Sequence, residues 1–272
     1  ILKTWITEYT ERVQIVVGIA SNFVAQDDVV QNSLEGDILP GASAAGIVWP
    51  LPLTCAAWSG DWTGGAVDAG NPAPLARYVL ASDGAFDALG ARWIDGRTFA
   101  ASDPRHVAIV SASVARRGWR GEAPVGRTLT ANPWGGGDQE FEVLGVVDDI
   151  RYDGLDEPPV DAVYFDARTW SWVDWEVDVV VRAENDPTVL VAPVREQLAA
   201  MDDAIPMAQI ATLTTVKDAG LAAGRFALAL VGGCAAIAAL LALLGLYGVL
   251  SFTVNARRRE IGIGRAPCRE RV

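Results

Sequence analysis

From Phe226 to Val254 the chain reads FALALVGGCAAIAALLALLGLYGVLSFTV, 29 residues without a charged side chain. About 20 apolar helical residues cross the hydrocarbon core of a bilayer. At about 1.5 Å per residue this stretch reaches about 43 Å, so it must tilt or emerge from the lipid on one side. Buried helices of soluble proteins more often carry uncharged runs of about 10–14 residues. The pattern predicts one transmembrane helix within residues 221–256, with membrane lipid as its surroundings.

The flanks orient it. Arg257, Arg258 and Arg259 follow the run, whereas Lys217 and Arg225 precede it with Asp218 between them. Short basic segments beside a spanning helix stay on the cytoplasmic side. Residues 257–263 are therefore expected in the cytoplasm, and residues 1–220 outside it. Residues 1–224 hold 15 basic and 32 acidic side chains, a net charge of −17. Such a surface is well solvated and repels nucleic acid.

The first residues carry no basic segment followed by an apolar one, so no signal peptide is visible. An exported domain needs an earlier spanning helix, and the chain is expected to be a fragment of a longer membrane protein. Residues 264–272 (GRAPCRERV) resemble the translation of a sequencing adapter and are set apart from the fold. Cys55, Cys234 and Cys268 fall in three different compartments, so no disulfide framework is implied.

The outer part alternates strand and helix patterns. Val13–Ala20 is an apolar, β-branched strand candidate, and Asp27 or Asp28 can cap a helix with Val30, Leu34 and Ile38 on one face. Ala42–Val48 completes a β-α-β unit, and Pro50–Pro74 reads as loop. A strand over Arg77–Ser82 and a helix over Asp83–Leu89 stopping at Gly90 are expected next. His106–Val110 then forms a strand, with Ser111 or Ser113 capping the helix that carries Val114, Ala115 and Trp119. Phe141–Ile150, Ala162–Phe165 and Val177–Arg182 are further strands. Asp186 and Pro187 mark a helix start, Pro193 weakens its first turns, and Met207–Leu213 returns as a strand. Two separated β-α-β units predict an α+β ectodomain with two lobes.

Chemistry is sparse. His106 is the single histidine, which leaves little for a histidine-based triad or a multi-histidine metal site. Asp148, Asp149, Asp153, Asp156 and Glu157 form an acidic run that could take a cation or supply paired carboxylates, while Gly154 and Pro158-Pro159 favour a solvated turn. Gly135–Gly137 lacks the strand–glycine–helix setting of a phosphate loop and reads as a hairpin tip. All ten tryptophans precede residue 176, and Trp170, Trp172 and Trp175 could line a groove or pack a core. Within the apolar run, Gly232 with Ala236 and Ala235 with Ala239 share the four-residue spacing that lets helices approach closely. No catalytic, cofactor-binding or metal-binding residue is assigned, and no enzyme is expected.

An ordered set of segments nevertheless resembles a known family. It comprises LPGASAAGIVWPLPLT (39–54), YVLASDGAFDALGARWIDGRTF (78–99), VAIVSASVARRGW (107–119), PVGRTL (124–129), VLGVVDDIRYDGLDEPP (143–159) and LLGLYGVLSFTVNARRREIGI (243–263). Their order and spacing resemble the MacB-like periplasmic core domain followed by the start of an FtsX-like permease domain, as in the duplicated orphan ABC permeases of acidobacteria. The resemblance implies a bacterial inner-membrane permease with residues 1–220 in the periplasm. It implies a cytoplasmic ABC ATPase subunit as partner, and a homodimer or a pseudo-dimer through a duplicated half. The chain has no GxxxxGK[ST] phosphate loop, so ATP hydrolysis would belong to that partner. Arg257–Glu260 falls where such permeases couple to the ATPase, and a plain stop signal explains it equally well. A single-pass extracytoplasmic sensor or binding module is the alternative.

Overall fold

The computed structural model describes residues 14–20, 41–54, 58–67, 73–153, 158–169, 176–201 and 207–261. Eleven strands run through them. The first five are β1 Gln14–Ala20, β2 Ala42–Trp49, β3 Ser59–Thr63, β4 Leu75–Ala81 and β5 Trp93–Gly96. There follow β6 Val107–Ser111, β7 Thr128–Ala131, β8 Gln139–Val147, β9 Ala162–Asp166, β10 Glu176–Ala183 and β11 Met207–Thr212. Four α-helices accompany them: α1 Ala85–Leu89, α2 Ala112–Trp119, α3 Val191–Met201 and α4 Leu213–Ile261. The chain divides into two compact units, Ile1–Gly220 and Leu221–Val272.

Within the first unit, β11, β1, β10 and β2 lie side by side, and each neighbouring pair is antiparallel. Both expected β-α-β units are therefore split. β10 lies between β1 and β2, and β1 lies between β10 and β11, the interleaving of a split β-α-β fold. The helix expected after Asp27 and Asp28 lies outside the described residues. Contiguous apolar runs follow from this arrangement: Val179, Val180 and Val181 are all fully buried in the central strand β10.

Residues between β2 and β10 build the second part. β4 pairs with β3, β3 with β7, β7 with β8, β8 with β6 and β6 with β9. β9 returns to pair with β4 in parallel, from Arg77↔Ala162 to Ala81↔Asp166, and closes a six-stranded barrel. Alternate residues fill its interior: Trp62, Tyr78, Leu80, Val110, Leu129, Phe141, Val163 and Phe165. The intervening ones, Val79, Ile109, Val147 and Tyr164, face a second core with Phe86 and Leu89 of α1 and with Val48 and Val180 of the open sheet. Burial on both faces is why VAIVS and AVYFD are hydrophobic without alternation.

The barrel joins the sheet through β4, whose last residues pair with β2 at Val48↔Ala81 and Trp49↔Leu80. Just beyond, Ser82 accepts from the Ile47 amide through Oγ at 2.9 Å and donates its own amide to the Ile47 carbonyl at 2.9 Å. α1 then lies across β2 and ends at Gly90, whose left-handed backbone terminates the helix. Arg182 of β10 donates from Nε to the Ala88 carbonyl at 3.2 Å, a cation at a helix C-terminus.

Several sequence expectations need revision. Pro50–Pro74 is not all loop, because Ser59–Thr63 forms β3 and buries Trp62. β5 and β7, each four residues long, were not foreseen. The start at Asp186 is as expected: its carboxylate accepts from the Thr188 amide. A 3₁₀ turn, Pro187–Leu190, comes between that cap and α3, so Pro193 falls in the first α-helical turn, where a missing N–H costs least.

Candidate functional site

The acidic run after β8, which could take a cation but reads better as a solvated turn, has its described carboxylates turned to separate cations. Asp148 accepts from Arg92 Nη2 at 2.8 Å, and Asp149 accepts from Arg116 Nη2 at 2.8 Å. Asp153 pairs with Arg77 of β4. Asp156 and Glu157 lie outside the described residues. Asp149 also accepts from the Ser113 amide at 2.7 Å, and Ser111 Oγ accepts from the Val114 amide, so both cap α2. Among the described residues, no group of three or more His, Cys, Asp or Glu side chains is placed to hold a metal ion.

Ser111 and Ser113 bring two hydroxyls to 2.9 Å from one another. Ser111 is fully buried and also accepts from the Ala162 amide at 3.0 Å, which commits its oxygen to the fold. A nucleophilic serine needs a base within hydrogen-bond reach. His106 precedes the opposite end of β6, about 16 Å away along an extended strand, where its ring lies tilted against that of Phe141, centroids 5.7 Å apart. These residues do not assemble a triad.

A more concentrated set of charges lies at the end of β9, and nothing in the sequence singled it out. Arg97 grips Asp103 with both terminal nitrogens, at 2.7 and 2.6 Å. Asp103 in turn accepts from the Ala100 amide at 2.8 Å. Arg168 holds buried Asp166, with Nε 3.0 Å from each carboxylate oxygen, and donates Nη2 to the Ala100 carbonyl at 2.6 Å. Ala100 is thus held on both sides of its peptide backbone. The Arg97 hydrogen bond keeps the Asp103 carboxyl below the usual aspartate range. Half-buried Asp83 beside this cluster is pushed the other way by burial. Each ion pair is local, six residues apart for Arg97–Asp103 and two for Asp166–Arg168, but only the fold brings the two together through the distant Arg168–Ala100 bond.

Aromatic rings line the barrel interior and its rim. Phe165 lies 4.8 Å from Phe141 and 5.2 Å from Tyr78, centroid to centroid. Half-buried Trp58 stands 5.5 Å from Tyr78 and 6.0 Å from Trp134. The Tyr78 hydroxyl donates to the Asp61 carbonyl, and burial pushes its pKa up to about 12. Trp62 and Trp119 are core residues, so packing is the use of these described tryptophans. Trp170, Trp172 and Trp175 lie outside the described residues. Gly135–Gly137 falls in the connection of the β7–β8 hairpin.

In the second unit, α4 presents Leu228–Thr253, 26 residues long and apolar enough to cross a membrane. Every residue from Leu228 to Leu250 is exposed, among them Leu240, Leu241, Leu244 and Cys234. A continuous apolar surface of this extent is foreign to a water-facing helix. The backbone stays helical through Arg257–Arg259 to Ile261, and residues 264–272 lie outside the described residues.

The sequence matches the family description of the MacB-like periplasmic core domain over residues 14–201. The fold is similar to the periplasmic region of MacB from Actinobacillus actinomycetemcomitans, with TM-score 0.48 and 16% identity over 80% of this chain and 96% of that one. It is also similar to the extracellular domain of the noncanonic ABC-type transporter YknZ from Gram-positive bacteria, with TM-score 0.46 and 17% identity over 73% and 99% of the two chains. No curated protein matches the sequence. With strands β1, β2 and β10 of its open sheet and the whole inserted barrel inside the matched span, the chain belongs to the MacB-like periplasmic core domain family.

Proposed function

We propose that this chain is part of a non-catalytic permease subunit in an ABC-type transport or mechanotransmission system. Residues 1–220 stand in the periplasm, and the apolar stretch of α4 crosses the inner membrane. A separate cytoplasmic ATPase drives the movement. One observation carries this reading: a periplasmic-family domain is followed in the same chain by a 26-residue apolar helix and then by three arginines. The basic triplet orients the helix toward the cytoplasm. Gly232 and Ala236, both exposed, offer a surface on which a second spanning helix could pack, in a homodimer or with a duplicated half.

The test uses the complete membrane protein purified in detergent, alone and with candidate ABC ATPases from the same cell. The proposal expects no ATP hydrolysis by the permease alone, and co-purification with an ATPase whose turnover changes when the permease is added. Hydrolysis without a partner would overturn the division of labour. A protein that associates with no ATPase, and whose complete form has one spanning helix, would be the membrane-anchored sensor instead.

A further inference from the structure

The chain crosses between the open sheet and the barrel twice, from β2 to β3 and from β9 to β10. Among the described residues, strand pairing joins the two parts only at Val48↔Ala81 and Trp49↔Leu80. Beside those pairs lie the two hydrogen bonds between Ser82 and Ile47. Parts joined this narrowly move relative to one another by default, with strand ends as the hinge.

α1 fills that junction. Its Phe86 is 1% exposed, and the ring reaches three aromatic rings on the barrel side. Trp93 of β5 lies at 5.1 Å, Tyr164 of β9 at 5.3 Å and Phe99, in the loop before β6, at 6.1 Å, centroid to centroid. The same helix rests on the open sheet, where Gly46 of β2 leaves no room for a Cβ against Ala85 and Arg182 of β10 donates to the Ala88 carbonyl. Phe86 and Leu89 therefore share one buried core with Val79, Ile109 and Val147 of the barrel and with Val48 and Val180 of the sheet. A close-packed interior transmits displacement because it has little free volume to absorb it. Leu213, the first residue of α4, is 2% exposed in that same core. The Thr212 hydroxyl accepts from the Thr215 amide at 3.3 Å and caps this helix start.

We propose that α1, with Phe86 as its wedge, makes the barrel and the open sheet one mechanical body, so that a displacement entering at Leu213 reaches the barrel instead of being absorbed at the β2–β4 junction. The first half stands on packing alone, and the second rests on the mechanotransmission reading. Phe86 is a positioning residue in this scheme. Replacing its ring by an aliphatic side chain leaves the strand pairing and the Ser82 bonds in place but removes three ring contacts, which frees the hinge.

Pulsed electron spin resonance on the complete membrane protein in detergent tests the coupling. Spin labels go on Glu140→Cys of β8 and Glu196→Cys of α3, both exposed positions, in a background carrying Cys55→Ser, Cys234→Ser and Cys268→Ser. With Phe86 in place, this pair should give one narrow distance distribution. Phe86→Leu should at least double its width. A control pair inside the barrel, Leu75→Cys of β4 with Glu140→Cys, should keep its width in Phe86→Leu, which separates a loosened junction from a damaged fold. A broad or two-peaked distribution with Phe86 in place overturns the proposal and depends on no change at the wedge. An unchanged width in Phe86→Leu, or equal broadening of both pairs, overturns it too. Each of these outcomes leaves the dependence on a separate ATPase untouched, since co-purification and turnover test that independently.

Discussion

Gly46 of β2 lies directly against Ala85 of α1: a Cβ at position 46 would come within 2.2 Å of the Ala85 nitrogen and 2.4 Å of its Cα. The obstruction is backbone, which cannot swing aside as a long side chain can. Gly46→Ala should therefore destabilise the outer domain by about 1–3 kcal/mol or more. Denaturant unfolding followed by tryptophan fluorescence measures this, and an unchanged midpoint would show that α1 does not sit this closely on β2.

Asp166 and Arg168 form the most buried ion pair of the charged cluster, with 5% and 24% of their side chains exposed. Removing the cation alone strands a buried carboxylate, so Arg168→Met should cost about 3 kcal/mol. The double substitution Arg168→Met with Asp166→Asn should recover a large part of that loss. Additive losses in the double-mutant cycle would mean the two residues stabilise the fold independently.

Asp103 should make the outer domain more stable as pH rises from acid. Its carboxyl is held below the ordinary range by Arg97, so its contribution is present above about pH 4 and lost as pH falls through its depressed folded value. Asp103→Asn should be less stable than wild type at pH 7, and the gap should close in strong acid. A gap independent of pH would assign the loss to packing or backbone capping alone.

How much of this was readable in advance depended on where each constraint is stored. VQIVVGIA, FEVLGVVDDI and VDVVVR announced strands by their β-branched apolar runs, and in the latter two Val143–Val147 and Val179–Val181 are buried, so those stretches need no polar alternation. Asp186-Pro187 announced a helix start because its capping bond is local. SGDWT did not look like a strand: Gly60 and Asp61 mask it, and only Trp62 points to burial. Barrel closure was invisible, since it rests on β4 meeting β9 in parallel across more than eighty residues. The acidic turn was read as solvated, but its pairings were out of reach for the same reason. Its carboxylates look clustered in the sequence, but their arginines come from positions 77, 92 and 116.

Membrane insertion has a direct test at Leu241, near the middle of the apolar stretch and fully lipid-facing in this reading. Leu241→Arg should raise the insertion free energy by about 2.5–3.5 kcal/mol and reduce the membrane-integrated fraction. Asp156→Ala, in the acidic run of the sequence, should leave assembly unchanged. Equal integration of Leu241→Arg and wild type would count against a spanning helix.

Topology is tested separately by reporter fusions in the complete protein. Fusions after Leu213 should report the periplasm and those after Arg259 the cytoplasm. The reverse pattern would invert the orientation that the arginine triplet implies.

The insertion of the barrel between β2 and β10 also sets a timetable for synthesis. β1 and β2 leave the ribosome early, but the strand that lies between them, residues 176–183, is made only after the whole barrel. Until then both strands carry unsatisfied edges, and pairings this distant in sequence form slowly. In a protein delivered across a membrane as it is made, the first strands would wait outside the cell's cytoplasm for their neighbour. The open sheet is therefore the part most exposed to aggregation and most in need of a chaperone during that interval.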